Sequence, residues 1–394
     1  NKQTNKQSIN QSINQKMSTQ AIYKKFDLGD GREISIETGR LAKQANGAVV
    51  VKIDDTMLLA TVVANKEPKE NADFLPLTVE YKEKYAATGK FPGGFFKREA
   101  RPSEYEILIS RLVDRALRPL FPDNYYHDTQ VQIMLISGDK KNAPDALAAL
   151  AASAALTVSD IPFQGPISEV RVAKLDGKFV INPELAEFEN AELDLMVAAT
   201  MDNIMMVEGE MKEVSEADML EAIKFAHEAI KLQCQAQLDL AAEIKDKKEK
   251  WEIAQPEGDE KIESDLRTFA YDRLYNLAGE GLADKHLRKE KSQAIRDEFM
   301  EKFSEEELEE KEKMIKTYFH DLEKDAIRNY VLDERKRIDG RQLDEIRPIW
   351  SEIDYLPAAH GSAIFTRGET QALVTVTLGT KLDEQKLDGA VIEG

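Results

Sequence analysis

One stretch of this chain occurs twice. "GAVVVKIDDTMLLATVV" begins at Gly47 and "GSAIFTRGETQALVTVT" begins at Gly361. Aligned without gaps, they share Gly47 with Gly361, Thr56 with Thr370 and Thr61 with Thr375, and their apolar positions coincide. Each follows an Asp-Gly-Arg, at Asp30-Gly31-Arg32 and at Asp339-Gly340-Arg341. One hairpin aligns easily by chance, but two matches in the same order do not. The chain therefore reads as a duplicated domain, each copy opening with strands joined by a tight turn, the first turn at Asp54-Asp55.

The residues between the copies change character midway. From about Ile22 to Met211, β-branched runs such as "TQVQIMLIS", "SEVRVAKLD", "KFVIN", "LDLMVAAT" and "NIMMVEGE" read as strands. Two helices interrupt them. One is capped by Ser103, with Glu106 three residues on completing a capping box. The other is "PDALAALAASAALTVS", whose alanines suit close packing on a sheet, so this region has an α/β sandwich pattern. From Ser215 to about Glu334, apolar residues recur at helical spacing, giving an all-helical insert of three or four helices. A coiled coil is the competing reading, though no heptad persists.

The expected fold class is α/β (α+β), a duplicated domain with an all-helical domain between the copies. The boundaries are drawn at 1–16, 17–213, 214–332 and 333–394. The polar repeat "NKQTNKQSINQSINQK" ahead of Met17 is expected to be a disordered tail, with Met17 the start of the folded protein. The second copy stops at Gly394 after its first strands, so the chain is expected to be part of a longer one.

Composition limits the partners. With 73 acidic against 54 basic residues the net charge is −19, which opposes broad nonspecific binding to nucleic acid. A local basic site remains compatible with that charge, because salt confines fields to about 8 Å. One cysteine, Cys234, excludes an internal disulfide and favours a reducing, cytoplasmic setting. No apolar run approaches a membrane span. Against this acidic background, "FPGGFFKREARPSE" from Phe91 to Glu104 gathers glycines, aromatics and cations. Single-stranded nucleic acid is gripped by such a combination: Phe95 and Phe96 offer faces for stacking, and Lys97, Arg98 and Arg101 offer phosphate partners. The alternative is a surface loop whose phenylalanines fold back onto the core.

"FPGGFFKREARPSE", "RLVDRALRPLFP", "SDIPFQGPI" and the second "DGR…GSA…RGET" together resemble the bacterial polynucleotide phosphorylase family, over essentially everything after Met17. The related tRNA-processing nuclease RNase PH has one such domain and no helical insert. The resemblance implies two RNase PH-like domains joined by a helical domain, followed by KH and OB-fold domains, in a homotrimeric ring with a central channel. It implies a polyribonucleotide nucleotidyltransferase: a phosphate-dependent 3′-to-5′ exoribonuclease of mRNA degradation that releases nucleoside diphosphates, with polymerisation as the reverse reaction. Its partners would be single-stranded RNA, nucleoside diphosphates and RNA-degradation complexes. Phe95, Phe96, Lys97, Arg98 and Arg101 would form the RNA-gripping loop. The family usually carries two adjacent arginines there; Lys97 replaces the first, and Ala100 stands where glycine is common.

The same resemblance places catalysis elsewhere. Phosphorolysis uses inorganic phosphate and Mg2+, whose ligands are expected beyond Gly394 with an Asp-x-Lys strand. The equivalent strand of the first copy is Asp194-Leu195-Met196, with methionine in place of lysine. No catalytic or metal residue is therefore expected in this chain, and the first copy is read as RNA-guiding. Arg111, Arg115 and Arg118 share a helical face, but Asp114 suits a salt bridge with Arg118. The five histidines, including His127, His227, His286, His320 and His360, have no metal-ligand spacing and are read as structural. "GDGREISIETGR" matches no phosphate-loop spacing. Two other readings remain: a noncatalytic RNA-binding ring subunit of an exosome-like assembly, and an interaction protein built on the acidic helical insert.

Overall fold

The computed structural model describes residues 21–29, 31–69, 72, 74–92, 99, 101–253, 258–384, 387 and 389–391. The expected tail at 1–16 lies outside them, as does Asp30. The chain divides into two compact units, residues 1–255 with 385–394, and residues 256–384.

In the first unit, strands β1 (Ile22–Asp27), β2 (Glu33–Thr38), β3 (Gly47–Ile53), β4 (Thr56–Ala64), β5 (Leu77–Glu83) and β6 (Thr129–Ser137) form one sheet in the order β1-β2-β3-β4-β6-β5. All neighbours are antiparallel except β5, an edge strand that runs parallel to β6. Strands β7 (Ser168–Leu175), β8 (Lys178–Ile181), β9 (Leu193–Ala199) and β10 (Ile204–Met211) form an antiparallel sheet ordered β10-β9-β7-β8. Helix α1 (Glu104–Leu117) packs on β5, and α2 (Ala148–Val158) contacts β3, β4, β6 and β7, so it reaches both sheets. Every residue of α2 from Ala148 to Thr157 is buried. A helix enclosed on all sides must be thin, which is why alanine dominates it. At Gly47 the approach is closest: a Cβ there would lie 2.1 Å from the Ala155 carbonyl oxygen.

Helix α3 (Glu216–Ala242), expected to open the all-helical domain, instead lies within the first unit. Its Ala222, Ala226, Ile230 and Cys234 recur every four residues and bury against Val170, Val172, Leu195 and Val197 of the second sheet. A small-residue stripe on the helix matches an apolar sheet face, and that match outweighs the change of composition along the chain.

The second unit holds α4 (Glu260–Gly279), α5 (Lys285–Met300) and α6 (Glu305–Glu334), each begun by an oxygen-bearing cap at Asp259, Asp284 and Ser304. Leu266, Leu274, Phe299, Ile315, Phe319 and Leu322 are part of their common core. The unit also holds a sheet of β11 (Ile349–Ile353), β12 (Gly361–Arg367) and β13 (Thr370–Val376). Its ladders repeat those of the first sheet. The β3–β4 hairpin pairs Gly47 with Val62 and Ile53 with Thr56; β12–β13 pairs Gly361 with Val376 and Arg367 with Thr370. The preceding strands repeat as well, Ile34 with Ile53 and Thr38 with Val49 against Ile349 with Arg367 and Ile353 with Ala363. The two copies differ in burial: β3 and β4 are largely buried, whereas every residue of β13 is exposed. Among the described residues, no helix is long and apolar enough to cross a membrane.

Candidate nucleic-acid interface

Phe95, Phe96, Lys97 and Arg98 lie outside the described residues, so the interface is read from the frame that holds them. Strand β5 ends at Glu83, and a short 3-10 turn over Tyr85–Thr88 closes on Gly89, whose left-handed φ of 70° favours glycine. Phe91, at the end of the described stretch before the loop tip, is 93% exposed, and the stretch closes at Pro92. Beyond the tip, Glu99 folds back on the turn: its carboxylate accepts from Lys84 Nζ at 2.7 Å and from the Tyr85 backbone N–H at 2.9 Å. The Lys84 bond chiefly holds the Glu99 carboxyl below its usual range. The Glu99 carboxylate is thus turned onto Lys84 and the Tyr85 backbone as a staple.

A second staple follows. Ser103 caps α1 by accepting from the Glu106 N–H, and Glu106 Oε2 accepts from the Ser103 N–H at 2.6 Å. The other oxygen of Glu106 accepts from the Glu83 N–H at 2.8 Å, tying the helix start to the end of β5. Residues 389–391 bind the outgoing strand end as well: Thr88 Oγ1 donates to the Ala390 carbonyl at 2.9 Å and Lys90 Nζ to the Gly389 carbonyl at 3.0 Å. Both ends of the loop are therefore fixed, and Arg101 stands exposed beside the capped helix. Below it, a groove of about 690 Å³ runs between β5 and α1, lined in part by Lys82, Pro102, Ile107 and Arg111. Arg118 is engaged by Asp114 at 2.6 Å and by the Leu75 and Leu77 carbonyls, and Arg115 pairs with Glu208 at 2.5 Å, as the salt-bridged reading expects.

Beneath the frame lies a buried polar cluster that sequence reasoning missed, apart from Asp194. Arg171 of β7 donates to Asp194 of β9 and to Asp145, which precedes α2, both at 2.5 Å. The Phe188 ring lies 4.5 Å from its guanidinium carbon. Burial opposes the charge on Arg171, but Asp145 and Asp194 outweigh it and hold the guanidinium protonated. Nearby Glu169 is fully buried and neither of its oxygens has a hydrogen-bond partner among the described residues, so burial pushes its carboxyl up to about 8. Burial likewise pushes Glu83 up to about 7, although it accepts from the Tyr81 hydroxyl at 2.9 Å. The signal available in the sequence was "EVRV" inside an otherwise apolar strand: alternation puts Glu169 and Arg171 on one face of a buried sheet.

This cluster does not fit a divalent cation. Asp194 faces Arg171, Met196 sits opposite Arg171 in the ladder, and no group of three His, Cys, Asp or Glu residues is placed to hold a metal among the described residues. The Arg171 guanidinium is already the counter-charge to both Asp145 and Asp194. His127 and His227 bond the Asn65 and Thr200 carbonyls.

Comparison with known proteins agrees with this architecture. The profile of the 3′ exoribonuclease family, domain 1, matches residues 30–162 and again 345–392, one match on each copy of the repeated hairpin. The profile for domain 2 of that family matches residues 165–229, which include α3 as far as Ala229. A third profile, polyribonucleotide nucleotidyltransferase, RNA binding domain, matches residues 261–342. The chain is 60% identical over 373 residues to a polyribonucleotide nucleotidyltransferase of Bacteroides fragilis, covering 95% of this chain and 52% of that protein. Proteins of the same name from Phocaeicola vulgatus and Cytophaga hutchinsonii are 60% and 56% identical over 93% and 95% of the chain, which covers 52% of each. The chain thus spans about half the length of the curated relatives it matches.

Proposed function

Because this chain belongs to the polyribonucleotide nucleotidyltransferase family, we propose that it is the RNA-guiding portion of a phosphate-dependent 3′-to-5′ exoribonuclease. The complete protein removes nucleotides from RNA ends as nucleoside diphosphates, with inorganic phosphate as nucleophile. The observation that carries this reading is the order of the profile matches: the domain-1 profile twice, flanking the domain-2 and RNA-binding profiles, in the places where the duplicated ladders and the helices stand.

In this reading Phe95 and Phe96 stack on bases while Lys97, Arg98 and Arg101 contact phosphates. The doubly stapled frame supports it, because a loop fixed at both ends loses less entropy when it grips RNA. The complete protein is a homotrimeric cytoplasmic ring in which three such loops converge, so local cations outweigh an acidic exterior. It uses magnesium held by other carboxylates; the Arg171 cluster does not fit that ion, and no chemical step is placed on it.

The test supplies the 394-residue chain with oligoadenylate, phosphate and magnesium. The chain is expected to bind the RNA and to release no adenosine diphosphate. Turnover would overturn the placement of catalysis outside these residues. Within the loop, Phe96→Ala should weaken binding with unchanged salt dependence, and Arg98→Ala should flatten the slope of log affinity against log salt by about 0.7. Normal RNA affinity in both variants would remove the loop from the interface.

A further inference from the structure

A short strap closes over the root of the loop frame. Residues 389–391 fall inside the second match of the domain-1 profile, yet they sit in the first unit. Ala390 is 2% exposed, and Val391 belongs to the core cluster of that unit. Side chains hold the strap by its backbone: Lys90 Nζ donates to the Gly389 carbonyl and Thr88 Oγ1 to the Ala390 carbonyl. Thr88 ends the 3-10 turn after β5, and Lys90 lies two residues on, along the limb that leads into the loop. A Cβ added at Gly138, just past β6, would lie 3.7 Å from Val391. The strap therefore rests on the ends of β5 and β6 together.

Under it lies Glu83, the last residue of β5, buried. Its backbone N–H donates to Glu106 Oε1, while Glu106 Oε2 accepts from the Ser103 N–H at the start of α1. Its carboxyl accepts from the Tyr81 hydroxyl, and the Val391 backbone is close enough to favour the charged form of that carboxyl. The charged side chains that act on it, Glu106 from α1 and Asp145 from the turn before α2, are both acidic. Tyr105 of α1 and Tyr81 of its own strand add hydroxyls and no cation. Strand alternation points Lys82 to the opposite face, Lys84 pairs with Glu99, and Arg171 is engaged by Asp145 and Asp194.

We propose that Glu83 is a positioning residue for RNA binding: it locks the strap and the start of α1 to the end of β5, and so holds the two limbs of the loop frame together. The proposal rests on the RNA-guiding reading above. A proton makes the lock conditional. Burial pushes the Glu83 carboxyl up to about 7 in the closed frame, against the pull of the Tyr81 hydroxyl and with Glu106 and Asp145 adding to the rise. Opened to water, the carboxyl returns toward its ordinary 4.5. A group raised in the closed state stabilises that state fully below the open-state value, and the stabilisation is lost as pH climbs to the closed-state value. The lock is therefore firm near pH 5 and weak above pH 7. Ionised Glu83 is then a further carboxylate shut away from water beside Glu106 and Asp145, and opening the strap relieves it.

The experiment follows two quantities from about pH 5 to pH 8 in the wild type and in Glu83→Gln: amide hydrogen exchange of the 389–391 peptide, and oligouridylate affinity of the full chain. Glutamine keeps the shape and cannot ionise, and both chains keep Glu169, which titrates in the same range. The ratio of exchange rates, wild type over variant, cancels the intrinsic pH dependence of exchange. It is expected to rise by about tenfold or more between pH 5 and pH 7. Over the same range the RNA affinity of the wild type is expected to fall at least about threefold relative to that of the variant. Glu83→Ala removes the lock and is expected to bind RNA weakly at every pH; thermal melts check that it folds, and where it does not, the glutamine comparison decides alone. A constant exchange ratio overturns the lock. A ratio that rises while the two affinities run parallel overturns the positioning role. Absence of oligouridylate binding by both chains at every pH sinks the RNA-guiding reading and the positioning role with it, whereas the exchange ratio still decides the lock.

Discussion

Replacing Arg171 with methionine would remove the guanidinium and keep much of the apolar bulk. Asp145, only 2% exposed, and Asp194 would then face each other's charge, with fully buried Glu169 close by. Breaking a buried pair by removing one partner costs about 3–5 kcal/mol, because the remaining charge is left in a poor solvent. Loss of the Phe188 contact adds about 0.5–1 kcal/mol. Against a typical domain stability of about 5–15 kcal/mol, that is about a quarter or more. The deficit should depend on pH with a defined sign. Asp194, whose carboxyl burial already raises, moves further above its unfolded value once unpaired. Its protonated form is the tolerated one, so the variant regains stability at low pH and loses it as pH rises, by up to about 1.4 kcal/mol per pH unit. The assay is urea unfolding followed by Trp251 fluorescence, in a Trp350→Phe background so that the signal reports the first unit. A deficit below about 1 kcal/mol near pH 8, or one equal near pH 5 and pH 8, would refute the reasoning. Adding Asp194→Asn to Arg171→Met should recover part of the loss, a coupling that independent sites would not show.

Gly47→Ala should destabilise the first unit by about 1–3 kcal/mol or more, because its Cβ meets the Ala155 carbonyl at 2.1 Å, whereas Gly361→Ala, with nothing nearer than Val376 at 3.8 Å, should change stability by less than about 0.5 kcal/mol; paired urea titrations check both. Glu169 titrates near 8 and Glu83 near 7 in the folded chain, both against an ordinary 4.5, so the stability they allow is fully present below pH 4.5 and falls as pH rises through 7 to 8. Glu169→Gln should flatten that fall between about pH 5 and pH 8 in melting temperature; an unchanged pH profile would show that Glu169 does not hold its proton. Glu99→Ala should release the loop from Lys84 and Tyr85, lowering RNA affinity several-fold with little change in melting temperature, and a normal affinity would show that the staple does not preorganise the loop.

Several features were legible in the residues because their causes are local. The β3–β4 and β12–β13 hairpins follow from period-two alternation around a two-residue turn, and the Ser103–Glu106 capping box from groups three residues apart. The duplication was legible because both copies must satisfy the same ladder. Other features depend on what the strand or helix meets after collapse. Edge strand β5 acquires its place from a parallel pairing with a strand more than forty residues on. Helix α3 reads as part of a helical insert until its alanine stripe finds the second sheet. Glu99 reads as one more loop charge until Lys84 turns it inward. Arg171 reaches Asp145 and Asp194 across 26 and 23 residues of chain. Turns, caps and alternation act within a few residues, so a sequence determines them by itself. Burial, charge compensation and convergence of side chains depend on contacts between distant segments, and only the packed structure decides those.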